Sequence, residues 1–141
     1  MNPNDPVTAA LAAYRAAVFA KDVDAFCALY DADVHVFDMW GQWQQQGLAA
    51  WREMAQGWFS SVGDERVIVE ITEVHAEQAG ELAFGHACLR FSAQAADGTT
   101  LRSMSNRLTL AMQQRAGQWK IVHQHTSAPI DPSSGKPVMQ R

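Results

Sequence analysis

Residues 66 to 127 hold four long strand-like segments in succession, and that run limits what the chain can fold into. RVIVEITEVHAEQ alternates and stops before Gly80, and ELAFGHACLRFSAQ follows. After the turn AADGTT comes LRSMSNRLTLAMQQR, and after the turn AG comes QWKIVHQHTSA. Asp97-Gly98 and Ala116-Gly117 read as hairpin turns, because such pairs accept the positive φ that joins twisted strands. Consecutive hairpin-linked strands form an antiparallel, twisted sheet. Such a sheet needs apolar cover on one face.

The upstream third supplies that cover. In VTAALAAYRAAVFA, Val7, Leu11, Tyr14 and Val18 recur at helical spacing, and the alanines between them favour helix. Asp5 or Thr8 can cap it. Asp22 or Asp24 can cap a shorter helix, VDAFCALY, with Phe26, Leu29 and Tyr30 inward. DADVHVFDMW alternates as a strand, and GQWQQQG reads as a loop. LAAWREMAQGWF places Leu48, Trp51, Met54, Trp58 and Phe59 on one stripe, the strongest amphipathic signal in the chain. The order is helix, helix, strand, helix, then four strands, which is a segregated α+β layout. A curved antiparallel sheet covered by three N-terminal helices encloses a conical, mostly apolar space where a ligand can bind. The expectation is one domain over residues 1–128 and a mobile Pro/Ser/Gly-rich tail over 129–141.

Composition removes several functions. The 141 residues carry a net charge of -4 without a Lys/Arg cluster, which argues against nucleic acid as a partner. No apolar run reaches transmembrane length, and MNPNDPVTAA lacks the basic and apolar regions of a signal peptide. A cytoplasmic protein that binds no membrane is expected. Cys27 and Cys88 lack metal or redox spacing and read as reduced, buried residues. There is no GxSxG, P-loop, GxGxxG or HExxH, and no cofactor is expected.

Several residues are candidates on their own chemistry. Asp38 ends a strand among apolar neighbours, where burial would raise its pKa toward that of a useful base. The alternative is an Asx turn closing VHVFDMW. Tyr14 shares the inward phase of its helix, so its hydroxyl needs a partner, either backbone or a ligand. In AFGHACLRF, Phe84, His86, Cys88 and Arg90 share one face, and Ala83, Gly85, Ala87, Leu89 and Phe91 the other. Period alone does not say which is inside. By the same period, Trp119, Ile121, His123 and His125 share a face of the last strand, opposite Lys120, Val122, Gln124 and Thr126. An HxH pair on a strand can chelate a metal, but a third ligand at a recognisable spacing is missing, and no metal is expected. Trp40 and Trp43 sit in a loop where they can act as a lid.

Two segments carry a resemblance. TAALAAYRAAVFAKDVDAFCALYDADVHVFD resembles the opening of a ketosteroid isomerase. GQWKIVHQHTSAP is similar to the last strand of SnoaL-like proteins and of the association domain of calcium/calmodulin-dependent kinase II. Together they identify the chain as a member of the nuclear-transport-factor-2-like superfamily, of the SnoaL-like and ketosteroid-isomerase-like kind. The resemblance implies a cone-shaped cystatin-like fold. It places Tyr14 as a donor to a developing oxyanion and Asp38 as the proton carrier. Asn106 stands where the isomerase has a second, protonated acid, and its amide is a weaker donor. The resemblance makes the Phe84, His86 and Arg90 face the pocket wall, with Arg90 holding an anion. Trp58, Gln124 and Thr126 join as lining residues, and the His123 and His125 face turns to a partner subunit in a homodimer. The implied function is binding a small apolar or carboxylate-bearing molecule, with cofactor-free isomerase, cyclase or hydratase activity by proton shuttling on a conjugated carbonyl or carboxylate. The alternative is a non-catalytic association domain with a regulatory pocket.

Overall fold

Asp5 begins the first helix, α1 (Pro6–Ala20), by accepting a hydrogen bond from Thr8 N at 2.8 Å. Asp22 does the same for α2 (Val23–Cys27), accepting from Ala25 N at 3.0 Å. Each carboxylate satisfies a backbone donor that the first helical turn leaves free. The computed structural model describes residues 4–141. After the helices come β1 (Tyr30–Phe37), the two-residue β2 (Gln45–Gln46) and α3 (Leu48–Val62). The long strands are β3 (Arg66–Ala79), β4 (Leu82–Gln94), β5 (Thr100–Arg115) and β6 (Gln118–Ser127).

The architecture is α+β. The six strands form one sheet in the order β2-β1-β6-β5-β4-β3. β3 through β6 pair antiparallel as the hairpin pattern implies, and β1 runs parallel to β6. Ala116 and Gly117, at φ 52° and 77°, make the two-residue turn that sets Arg115 against Gln118. β2 lies inside the segment expected as a loop, pairing Val36 with Gln45 and His35 with Gln46. Tyr30, expected on the second helix, is buried as the first residue of β1.

Register breaks between Thr72 and His75, between Ala93 and Gln94, and between Ala111 and Met112 bend the long strands. Such bulges increase local twist, and the sheet curls around the helices. The core lies on the concave face. Phe26, fully buried, packs its ring within 5.2–6.5 Å of Tyr14, Tyr30, Trp51, Trp58 and Phe59. This aromatic cluster ties all three helices to β1.

Residues 129–141, expected as a mobile tail, have hydrogen-bonded structure of their own. Pro129 O accepts from Val138 N at 2.7 Å, and Asp131 N donates to Lys136 O at 2.8 Å, closing a small hairpin. The return arm lies beside β5, past the point where β6 ends opposite Arg107. There Ser105 N donates to Met139 O and Gln140 Nε2 donates to Ser103 O, both at 2.7 Å. Arg141 pairs with Glu73, whose carboxyl it holds down to about 2.

Helix α1 packs on the sheet through Gly85. A Cβ there would meet Val7 Cγ1 at 2.5 Å and the His75 carbonyl oxygen at 2.7 Å. Ala is favoured over Gly in a strand by roughly 0.5–1 kcal/mol, but overpacking against a backbone oxygen costs about 1–3 kcal/mol. Gly85→Ala is therefore expected to lower the urea midpoint of unfolding. An unchanged or raised midpoint would contradict this close approach of α1 to β4.

Candidate functional site

Between α3 and the concave face of the sheet lies a cavity of about 660 Å³. That is the size of an ordinary small-molecule site. Trp51, Met54 and Trp58 of α3 line one side, and Phe91 and Met104 line the other. Tyr14, Asp38, Asn106, Gln124 and Thr126 supply polar groups to the same space. Trp40, Gly41 and Gln42 border it, whereas Trp43, 93% exposed, is not part of the lining.

Asp38 is the only acid lining this cavity among the described residues. It follows the last residue of β1, and the Thr126 hydroxyl on β6 donates to its Oδ1 at 3.0 Å. Met39 N in turn donates to Thr126 Oγ1 at 3.0 Å. Desolvation raises the Asp38 carboxyl above the usual carboxylate range, against hydrogen bonds from Thr126 and from the Met39 and Trp40 amides. Burial outweighs the bonds, so part of the acid's hydration is lost without full replacement.

Tyr14 is 7% exposed, and its phenol is pushed well above its ordinary pKa, first by burial and then by the nearby Tyr30 and Asp38. At neutral pH it is a hydrogen-bond donor and not an anion. Tyr30 donates to Gln124 Oε1 at 2.7 Å, which fixes the Gln124 side chain. The Trp51 indole N–H lies beside the same phenol and favours its ionised form, yet makes no hydrogen bond of normal geometry. Asn106, 8% exposed, points its Nδ2 at Met39 Sδ, 3.5 Å away.

The structure therefore brings together Tyr14, Asp38, Asn106, Trp58, Gln124 and Thr126. It does not bring Phe84, His86 or Arg90 to them. On β4 the buried face is Ala83, Gly85, Ala87 and Leu89, while Phe84 is half exposed and His86 and Arg90 are exposed. Small residues face inward because α1 presses on this part of the sheet, leaving no room for rings. On the outer side His86 stacks on His75 at 5.1 Å, and Arg90 donates to Ser103 Oγ at 3.2 Å.

The last strand also departs from simple alternation. Met112 pairs with Ile121 and Ala111 with His123, so Val122 is an unpaired bulge residue. Ile121 is in consequence buried on the same side as Gln124 and Thr126, not with the histidines. His123 and His125 lie on the outer face with Phe37, whose ring is 5.0 and 5.4 Å from theirs. His123 Nδ1 is 2.7 Å from His35 O. Among the described residues no three His, Cys, Asp or Glu side chains converge as a metal ion requires.

The cation at the cavity is Arg102, which the sequence reading did not single out. It pairs with Glu65, Nη2 to Oε1 at 2.7 Å. Arg102 lies on β5 four residues before Asn106, and Ser103 and Met104 between them also line the cavity.

The profile of the SnoaL-like domain matches residues 7–131 of this sequence. The chain belongs to the SnoaL-like family. No curated protein matches it in sequence. Among solved structures, this SnoaL-like chain is similar to an NTF2-like protein of unknown function from Pseudomonas putida. The TM-score is 0.85 at 23% identity, over 96% of this chain and 92% of that one. It is also similar to a candidate calcium/calmodulin-dependent protein kinase II association domain from Xanthomonas campestris, with TM-score 0.73, 16% identity, and 87% and 85% covered. An NTF2-like superfamily protein from Salmonella enterica serovar Typhimurium gives 0.71 at 17% identity, over 94% of each chain. At these identities the likeness is one of fold. No helix among the described residues is long and apolar enough to cross a membrane.

The raised Asp38 pKa has a consequence for stability. The folded state holds that proton more tightly than the unfolded chain does. The group's contribution is full below the unfolded pKa of roughly 3.9 and is lost as pH rises through the raised folded value. Asp38→Asn removes the desolvated charge while keeping an acceptor for Thr126. It is expected to melt above the parent at neutral pH, with the gap closing as pH falls toward about 4. A variant that melts below the parent at neutral pH, or a gap independent of pH, would contradict the assigned burial penalty.

Proposed function

We propose that this SnoaL-like protein binds a small, largely apolar carbonyl compound in the cavity and moves a proton on it with Asp38. The observation that carries the reading is a single desolvated acid facing an apolar cavity shared with a protonated phenol. A carboxylate with a raised pKa is a stronger base than one in water, and positioned general bases contribute roughly 10²–10⁴ in rate. In the proposed reaction Asp38 takes a proton from the carbon next to the carbonyl. The C–H electron pair moves into an enolate, and its oxygen accepts a hydrogen bond from Tyr14. Asp38 then returns the proton to the same or a conjugated carbon. No cofactor is needed for this chemistry.

A carboxylate-bearing ligand is accommodated at Arg102 rather than Arg90. Glu65 already holds that guanidinium, so the ligand's anionic end would bind by displacing it. The test is deuterium uptake at the α-carbon of an enolisable bicyclic aryl ketone such as tetralone, followed by proton NMR in deuterium oxide. The parent should exchange faster than buffer, Asp38→Asn should lose at least about 100-fold of the acceleration, and Tyr14→Phe a comparable factor. Parent exchange no faster than buffer, or full activity in Asp38→Asn, would rule the reaction out.

A second reading is supported by the outer face of the sheet. Phe37 and Phe84 are 36% and 50% exposed there, and all five histidines lie around them. A fold neighbour is described as a candidate association domain. On this reading the face binds a second copy of the chain, as a homodimer with or without catalysis. Light scattering should then give twice the 15.5 kDa chain mass, and Phe37→Asp should reduce it to that of one chain. A parent that runs as a single chain at micromolar concentration would contradict the dimer.

A further inference from the structure

Val67, Ala93 and Arg102 stand opposite one another on β3, β4 and β5, and all three line the cavity. Directly opposed residues on neighbouring strands point to the same side of a sheet. Arg102 therefore rises from the concave face in one row with two buried apolar residues. Its guanidinium donates to both Glu65 carboxylate oxygens, at 2.7 and 3.5 Å. Glu65 lies in the turn between α3 and β3, between the lining residues Val62 and Val67. That turn is pinned through its backbone. Lys21 donates to the Gly63 and Glu65 carbonyls, and Glu65 N donates to Val62 O at 3.2 Å. The Glu65 side chain can leave Arg102 without moving the turn. Its side chain is 29% exposed and that of Arg102 63%. A pair this open to water is held weakly, so another anion can replace Glu65 on the same guanidinium.

The pair stands at the end of the cavity away from the acid. On β5, Asn106 touches Met39, the neighbour of Asp38. Arg102 lies four residues along from Asn106, roughly 13 Å at 3.3 Å per residue. The wall between is apolar, with Met104 opposite Phe91 and the Trp58 ring 6.1 Å from that of Phe91. We propose that Arg102 and Glu65 form a gate that selects two-ended ligands, in which an anionic group remote from the carbonyl replaces Glu65 on Arg102. The inference rests on the reading that the cavity is the ligand site and names its substrate class: long keto acids over short ones. Arg102 is the specificity-determining residue. Glu65 is an internal competitor that keeps the cation paired until a ligand anion arrives. A short keto acid whose carbonyl lies at Asp38 does not reach Arg102, and its charge falls against apolar walls where nothing pairs it.

The test uses ω-benzoyloctanoate and ω-benzoylpropionate, a long and a short keto acid, each against its methyl ester. Binding is measured by isothermal titration calorimetry to the parent, Glu65→Gln, Arg102→Gln and Arg102→Met, the last covering the case in which the Gln variant does not fold. Comparing acid-to-ester affinity ratios between proteins cancels the shared skeleton. For the long compound, the parent ratio should exceed that of the neutral Arg102 variants by about tenfold or more. Glu65→Gln should raise the affinity of the long acid about two- to fivefold and leave its ester unchanged. A parent ratio no larger than that of a folded neutral Arg102 variant, or a long-acid affinity unchanged in Glu65→Gln, overturns the gate alone. A short acid preferred over its ester as strongly as the long one overturns the two-ended ligand. If neither the long acid nor its ester binds the parent, or if Trp58→Ala weakens neither, the cavity reading falls and this inference falls with it.

Discussion

The bulge at Val122 lets β6 bury Ile121 in the core and still turn Gln124 and Thr126 toward the cavity. Without the extra residue, strict alternation would put Ile121 and Gln124 on opposite faces. From that one irregularity the polar end of the cavity is assembled. Gln124 takes the Tyr30 hydroxyl, and Thr126 links the Met39 amide to the Asp38 carboxyl. Each tie joins β6 to β1 or to the loop after it, the parallel neighbours at the edge of the curled sheet. The acid, just past the end of β1, is thereby tied to β6 through the Thr126 side chain and to its own loop through the Met39 and Trp40 amides.

The energetics of the site follow from an imbalance. Three donors stabilise the Asp38 carboxylate, and burial still wins. A carboxylate with that balance holds its proton more readily than it would in water, which is what the proposed proton transfer calls for. The same apolar walls keep Tyr14 protonated. Trp51, Met54, Trp58 and Phe91 are therefore more than a greasy lining, because their exclusion of water sets the chemistry of the two polar groups. The outer face, with the exposed Phe37 and Phe84 rings and the histidines around them, is a separate surface.

Much of this architecture is legible in the sequence, because it is local. The caps at Asp5 and Asp22, the α1 and α3 stripes, and the Asp97-Gly98 and Ala116-Gly117 turns are set by neighbours a few residues away. So was the inward phase of Tyr14 and the strand-end position of Asp38. What failed was the choice of face on β4 and the parity of β6. In AFGHACLRF both faces are mostly apolar, and only the contact of Val7 with Gly85, nearly eighty positions apart in the chain, decides that the small residues go inward. In QWKIVHQHTS the bulge depends on pairing with Ala111 and Met112, which no pattern within the strand reveals. Arg102 was missed for a different reason. Its place at the cavity depends on how far β5 extends beyond Met104 toward α3, and Glu65, its partner, is distant in sequence.

The central claim is that the cavity turns Asp38 into a base by withholding water from it. Carbon-13 NMR titration of the side-chain carboxyls, with Asp38→Asn to assign the resonance, measures this directly. The account predicts a midpoint above the ordinary aspartate value of about 3.9, rising further when an apolar ligand fills the cavity. A midpoint at or below that value, unmoved by the ligand, would contradict it.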